Sequence, residues 1–238
     1  MPILRDDQLP SHAGSAAEVE ARPAASTIVL RRDRFEVLFL HRSSASTFVP
    51  DAWIFPGGAV DPVDHELGGN VELTTLRACA ARELFEEAGI WIGPEVENAE
   101  AWRTRLLDDP SAFAELSGIS PPDLGRLIWT SRWVTPVGIP KRYDTWFFLI
   151  EVDDACEATA EHREGVEVRW LSPAEALRLH GEGAFSMVFP TIRNLEALAG
   201  FASVRELLEA RRNAEIPTTR PVLIVEGGRK RIVLPDEE

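Results

Sequence analysis

Two runs near the amino terminus, "STIVLRR" and "RFEVLFLHR", are dense in Val, Ile, Leu and Phe and flank a short polar turn at Arg32–Arg34. That composition, bounded by turn residues, predicts two strands. "YDTWFFLIEV" is almost continuously apolar, as expected of a strand covered on both faces of its sheet, and "EVRWL" predicts a further strand. Between them the pattern changes. "FVPDAWIFPGGAVDPVDHELGGN" holds three prolines and two Gly-Gly pairs and reads as a loop. "TTLRACAARELFEEAG" reads as a helix, with Thr74 or Thr75 as its cap and Gly89 as its terminator. Residues 97–130 read as peripheral helices, "PEVENAEAWRTRLL" and "PPDLGRLIW" being the better segments.

Toward the carboxyl end, "SPAEALRLHGEG" carries a strong helix start. Ser172 is its cap, Pro173 its first residue, and Glu175 completes a capping box. "TIRNLEALAGFASVRELLEARR" predicts one or two helices, and "RPVLIVEGGRKRIVLP" a β-hairpin turning at Gly227–Gly228. Strands and helices interleave, which predicts a single α/β domain over residues 22–238, with helices on both sides of a mixed sheet. Residues 1–21 read as a disordered tail.

Composition narrows the function classes. A formal net charge of −14 over 238 residues disfavours a long polyanion as partner, because nucleic-acid binding leans on a basic patch. A small phosphorylated substrate remains compatible if a cation supplies the positive charge. The only cysteines, Cys79 and Cys156, form no C-x-x-C pair, which argues against structural zinc and a disulfide scaffold. No apolar run approaches the ~20 residues of a membrane span. The amino terminus lacks the apolar core of a signal peptide, so a cytoplasmic location is expected.

The candidate chemistry lies in "RELFEEAGI", residues 82–90, where Glu83, Glu86 and Glu87 share a helical face. Each like-charge pair at that spacing destabilises a helix by roughly 0.2–0.5 kcal/mol, so the face is either simply solvated or meets something positive. Hard divalent cations prefer oxygen ligands and commonly join carboxylates to substrate phosphates. Upstream, Gly57 and Gly58 in "FPGGAVD" let backbone approach a ligand, although the chain has no P-loop.

The glycine loop followed by R-E-Leu-x-E-E-x-G-Ile resembles the Nudix box, G-x5-E-x7-R-E-U-x-E-E-x-G-U. Its second half matches without a gap from Arg82 to Ile90. The first half is stretched: Gly58 to Arg82 is 24 positions, about ten more than the pattern, and the upstream box glutamate falls on Thr74. Glu72, Asp61 and Asp64 are the candidates to replace that glutamate as partner of Arg82; otherwise the pair is absent. The extended box, with "LRACAARELFEEAGI", "WTSRWVTPVGIPKRYDTWFFL" and "LAGFASVRELLEARR", resembles the Nudix branch that includes the peroxisomal coenzyme A diphosphatase of animals.

This resemblance implies a Nudix-type α/β/α sandwich with a mixed sheet, a helical insertion at about 97–130 and a C-terminal β-hairpin. It implies Mg²⁺ or Mn²⁺ held by Glu83, Glu86 and Glu87, with backbone carbonyls near Gly57 and Gly58 as further ligands. It also implies cleavage of CoA or acyl-CoA to 3′-phospho-AMP and a phosphopantetheine product. Two alternatives stand beside it: hydrolysis of ADP-ribose, NADH or another dinucleotide, and a non-catalytic nucleotide sensor. Glu164, six residues before Trp170, is the candidate general base, ahead of Glu161 and Glu167, with Glu83 as its rival. Arg42 and Arg142 are candidate phosphate partners, Phe48, Trp53 and Tyr143 candidate adenine-stacking residues, and Arg82 completes the catalytic set. The expected partner is a small CoA-like nucleotide, with no nucleic acid and no membrane, and a homodimer is left open. The chain ends in Asp-Glu-Glu rather than an S-K-L-type address, so the peroxisome is not expected.

Overall fold

A computed structural model describes residues 19–43, 50–69, 71–161, 165–226 and 229–235. The two predicted amino-terminal strands are β1 (Arg22–Arg31) and β2 (Glu36–Arg42). Two short strands follow, β3 (Trp53–Ile54) and β4 (Gly57–Ala59), then α1 (Pro62–Gly68), α2 (Glu72–Ala88), α3 (Ala99–Asp108) and α4 (Ala112–Ile119). The second half comprises β5 (Ile128–Val134), β6 (Tyr143–Val152), β7 (Gly165–Leu171), α5 (Pro173–Gly181), α6 (Phe189–Leu198) and α7 (Val204–Arg211). It closes with β8 (Thr218–Thr219), β9 (Val222–Glu226) and β10 (Arg229–Val233).

The main sheet runs β3-β2-β1-β6-β5-β8, with β4 on β1 and β7 on β2, and it is mixed. β1 pairs parallel with β6 over ten residues, from Arg22↔Tyr143 to Arg31↔Val152. Its other edge changes partner along its length. Leu30 and Arg31 face β2, whereas Ala24, Ala25 and Ser26 face the antiparallel β4. β2 and β1 therefore diverge, and the chain from Trp53 to Ala59 fills the gap.

Alternation along the strands separates two cores. Trp146, Phe148, Ile150, Val29 and Leu38 face α1 to α4, while Phe147, Leu149, Ile28, Leu30 and Phe39 face α5 to α7. Both faces of β6 are thus covered, as its apolar run predicts. At roughly 25 cal/mol per Å² of apolar surface removed from water, these layers supply the main driving force for the fold.

Several element expectations are corrected. The proline- and glycine-rich stretch contains β3, β4 and α1. Helix α1 is made by Asp61, whose side chain accepts from the Val63 N–H at 3.2 Å, while the Asp64 carboxylate accepts from the Asp61 N–H at 2.8 Å. "PPDLGRLIW" is a 3-10 turn at Leu124–Arg126 leading into β5, because pairing with β6 (Ile128↔Leu149, Trp129↔Phe148) overrides its helical look. Helix α2 begins at Glu72 behind Val71 and has no side-chain cap, whereas Gly89, at φ +69°, ends it as expected. Ser172 caps α5 by accepting from the Glu175 N–H, but the Glu175 carboxylate turns to Arg178 instead of completing the box. The C-terminal hairpin is present, Glu226 opposing Arg229; Gly227–Gly228 lie outside the described residues. Of the expected tail, only residues 19–21 are described, and there the Val19 carbonyl accepts from Arg142 Nη1. No helix among the described residues is long and apolar enough to cross a membrane.

Candidate active site

Helix α2 lies against β1 and β4. Its buried small residues, Ala78, Cys79, Ala80 and Ala81, allow close approach, and the Thr27 hydroxyl reaches the Ala80 carbonyl at 3.4 Å. Its last two turns carry Arg82, Glu83, Glu86 and Glu87. The positive partner for the acidic face comes first from the helix itself. Arg82 is only 3% exposed, and its Nη1 donates to Glu83 Oε1 at 2.9 Å and to Glu86 Oε2 at 3.1 Å.

The rest of the guanidinium is held by Asp64, whose Oδ1 accepts from Nε and Oδ2 from Nη2, each at 3.0 Å. Nη2 also reaches the Ala59 carbonyl at 3.1 Å. Asp64 is fully buried, at 0% exposure, so two planar groups meet in a fork away from water. Of the three carboxylates proposed from sequence to replace the box glutamate, Asp64 is the one that pairs; Asp61 caps α1, and Glu72 lies in the first turn of α2. The inserted residues build the helix that delivers Asp64. Thr74 cannot serve, because it lies eight residues before Arg82 in one continuous helix, about 12 Å along the axis at 1.5 Å per residue.

One guanidinium thus faces three carboxylates, Asp64, Glu83 and Glu86. Burial pushes Glu86 up to about 8; Arg82 pulls it down and Glu83 adds to the rise. Burial works against the charge of Arg82, but Glu83 and Asp64 outweigh it and hold the guanidinium more firmly protonated. Glu86 Oε1 is buried and has no hydrogen-bond partner. Burial, reinforced by Glu83 and Asp64, also raises the Cys79 thiol well above its usual range, so this cysteine sits in the site's floor as a thiol.

Strand β4 forms the facing wall. The Gly57 N–H donates to Glu87 Oε2 at 2.7 Å. A Cβ on Gly58 would lie 2.3 Å from Glu83 Oε1, and one on Gly57 2.5 Å from the Ala25 carbonyl. The two glycines are therefore required by close approach, Gly58 to the carboxylate and Gly57 to β1. The Gly58 carbonyl faces Cys79 Sγ at 3.6 Å. Among the described residues no three Asp, Glu, His or Cys side chains are gathered as a ready cage for a cation.

The structure brings together Arg82, Glu83, Glu86, Glu87, Gly57 and Gly58. The other candidates lie differently. Trp53 is buried between Phe185, stacked at 4.4 Å, and His41, at 4.7 Å, so its faces are occupied by the protein. Arg142 is buried and donates from Nε to the Thr135 carbonyl at 3.1 Å and from Nη1 to that of Val19, bracing the β5–β6 connection. Tyr143 opens β6 opposite Arg22, and its N–H donates to Thr135 Oγ1 at 3.1 Å. Arg42 ends β2, its N–H on the Ala52 carbonyl at 2.9 Å. Phe48 and Glu164 lie outside the described residues. Sequence reading missed Arg103 of α3, whose guanidinium reaches the main chain of Glu86 and Glu87. The signal was an arginine on the buried stripe of a helix, four residues after Ala99 and three before Leu106.

A mixed sheet covered on both faces, with a glycine strand over an Arg-Glu-rich helix end, is the Nudix architecture, and the family model for the NUDIX domain matches residues 20–111. The chain belongs to the NUDT19 Nudix domain family, whose model matches residues 67–198, more than half its length. It is 31% identical over 190 residues to putative nudix hydrolase 7 of Caenorhabditis elegans, covering 75% of this chain and 60% of that protein. It is 28% identical to the acyl-coenzyme A diphosphatase NUDT19 of Gallus gallus, covering 73% of this chain and 63% of that one. The match thus spans about three fifths of these relatives' length. Among solved structures, a Nudix hydrolase from Alicyclobacillus acidocaldarius superposes with a TM-score of 0.75 at 27% identity, covering 81% of this chain and 97% of that one.

Proposed function

We propose that this chain is a divalent-cation-dependent diphosphohydrolase that cleaves CoA or acyl-CoA to 3′-phospho-AMP and (acyl-)phosphopantetheine, with residues 22–238 acting as one Nudix unit. The observation that carries the reading is the acid nest on Arg82. Three carboxylates meet one guanidinium, and Glu86 keeps a buried oxygen without a donor. Such an oxygen fits a hard cation, and Glu83, Glu86 and Glu87 are the residues that would hold Mg²⁺ or Mn²⁺. When bound, the cation would supply Lewis-acid charge against the diphosphate oxygens and lower the pKa of water.

The chain's own groups do the positioning. Arg82, fixed by Asp64, orients Glu83 and Glu86 from behind, and the Gly57 N–H fixes one oxygen of Glu87. Gly58 leaves the room in which the Glu83 carboxylate sits. Hydrolysis adds water across the P–O–P bridge: one P–O bond forms, one breaks, and the water's proton needs an acceptor. Glu164 and Glu83 are the two carboxylates for that role. The substrate class follows the relatives named acyl-coenzyme A diphosphatase in Gallus gallus and Homo sapiens.

The test is a panel of CoA, acyl-CoA, ADP-ribose, NADH and dinucleotide polyphosphates incubated with the protein and Mg²⁺, with products identified by mass. Release of 3′-phospho-AMP from CoA or acyl-CoA, faster than any turnover of the others, is expected. Preference for another member would replace the substrate class. Tight binding with no turnover of any member would favour a nucleotide sensor.

A further inference from the structure

We propose that Arg103, on helix α3, is a positioning residue of the active site, fixing the direction in which Glu86 and Glu87 are presented. The inference rests on the hydrolase reading above. Arg103 is 4% exposed, and its fork spans two separate pieces of backbone. Nε donates to the Glu86 carbonyl at 2.9 Å and Nη2 to the Glu87 carbonyl at 3.0 Å. On the other side, Nη1 donates to Thr159 Oγ1 at 2.6 Å and Nη2 to the Thr159 carbonyl at 2.7 Å. The two pieces also bond to each other. The Thr159 N–H donates to the Ala88 carbonyl and the Glu161 N–H to the Glu87 carbonyl, both at 3.1 Å.

The last carbonyls of a helix have no partner within it. Those of Glu86, Glu87 and Ala88 are all taken here, by a side chain from α3 and by the segment that leads to β7. A cation is favoured at that end of a helix, and a planar fork can address successive carbonyls where a lysine's point charge cannot. Gly89 helps make the space: a Cβ there would lie 3.1 Å from Thr159 Oγ1 and 3.2 Å from Arg103 Nη1.

The consequence for chemistry lies in which residues are held. Glu86 and Glu87 are the residues whose carbonyls Arg103 grips, and their side chains are the proposed cation ligands. Glu161, whose main chain is fastened to Glu87, begins the approach to β7, so the end of α2 and the segment beside it are tied directly to each other. An arginine that merely ended α2 would leave carboxylate placement to Arg82 and Gly57. An arginine that sets the twist of the last turn affects cation affinity and turnover without touching substrate.

The test uses the full chain with Arg103→Lys and, as a milder second variant, Thr159→Val. Three quantities are read: amide hydrogen exchange at Thr159 and Glu161, Mn²⁺ affinity without substrate by electron paramagnetic resonance, and kcat and KM for coenzyme A. For Arg103→Lys, both amides should exchange faster. Mn²⁺ affinity should fall about tenfold and kcat about 10- to 100-fold, the range for groups that orient metal ligands, with KM within about twofold of the parent. Thr159→Val should move the same quantities less, and it decides alone if Arg103→Lys does not fold. Faster exchange with unchanged Mn²⁺ affinity and kcat would make the latch purely structural and overturn the proposal, as would unchanged exchange. If the parent binds Mn²⁺ and turns over while the variants match it, only this inference fails. If the parent does neither, the hydrolase reading fails and this inference goes with it.

Discussion

Neighbouring glycines in β4 do different work, and alanine separates them. At Gly58 the new methyl would collide with the Glu83 carboxylate, the far end of a side chain; at Gly57 it would meet the Ala25 carbonyl and Ser26, which are main chain and strand. Gly58→Ala is therefore expected to fold, with a urea midpoint near that of the parent, and to lose activity as Glu83 swings away. Gly57→Ala should instead destabilise by about 1–3 kcal/mol, the cost of overpacking. Equal loss of stability in both would contradict this division. Glu87→Gln keeps an oxygen for the Gly57 N–H but removes the charge. It should retain a parent-like circular dichroism spectrum while kcat/KM falls about 10²-fold, since a cation's charge stabilisation is worth several kcal/mol. Full activity in Glu87→Gln would remove that residue from the proposed cation site.

Elements explain how the stretched box still gives Arg82 a carboxylate partner. Asp64 belongs to α1, which the sequence hides: seven residues are too few to show a helical period, and the surrounding prolines and glycines signal a loop. The carboxylate was legible as one of three candidates, but its selection depends on how α1 packs on α2. Asp64→Asn should cost about 3–5 kcal/mol in chemical denaturation, because Arg82 stays buried while the amide nitrogen meets an N–H of the guanidinium or of Asp61. Adding Thr74→Glu should not restore it, the distance along α2 being too great; recovery of the urea midpoint in the double variant would show that the helix yields. Other elements were plain in the chain. β6 could be read from its apolar run and the end of α2 from Gly89, because those signals are local. β5 was hidden because "PPDLGRLIW" spaces Leu124 and Leu127 as a helix does and only the β6 edge makes its end a strand.

At the scale of the molecule, an acidic chain with net charge −14 concentrates part of that charge in a water-poor nest. The carboxyl of Glu86 is raised to about 8 from an ordinary 4.5, so the cation-free fold favours its neutral form. Its contribution to stability is complete below the unfolded value near 4.5 and is lost as pH rises through about 8. The cation-free protein should accordingly lose about 3–4 kcal/mol between roughly pH 5 and 8.5, since each tenfold change in proton affinity is worth about 1.36 kcal/mol. Urea midpoints at both pH values, with and without Mg²⁺, check this. Glu86→Gln should remove most of the slope, and Mg²⁺ should flatten the parent's by taking the proton's place. An unchanged slope in Glu86→Gln would assign the pH response elsewhere.

The long parallel pairing of the first strand with the sixth sets a timetable for synthesis. Each residue of Arg22–Arg31 lies opposite one 121 positions later. At about 5–20 residues per second, a ribosome needs roughly 6–24 s to make that interval. Throughout it the nascent chain must carry its central strand without its main neighbour, exposed to chaperones and to wrong pairings. The acidic helix is translated early, but the floor beneath it is finished only when the latecomer slots in.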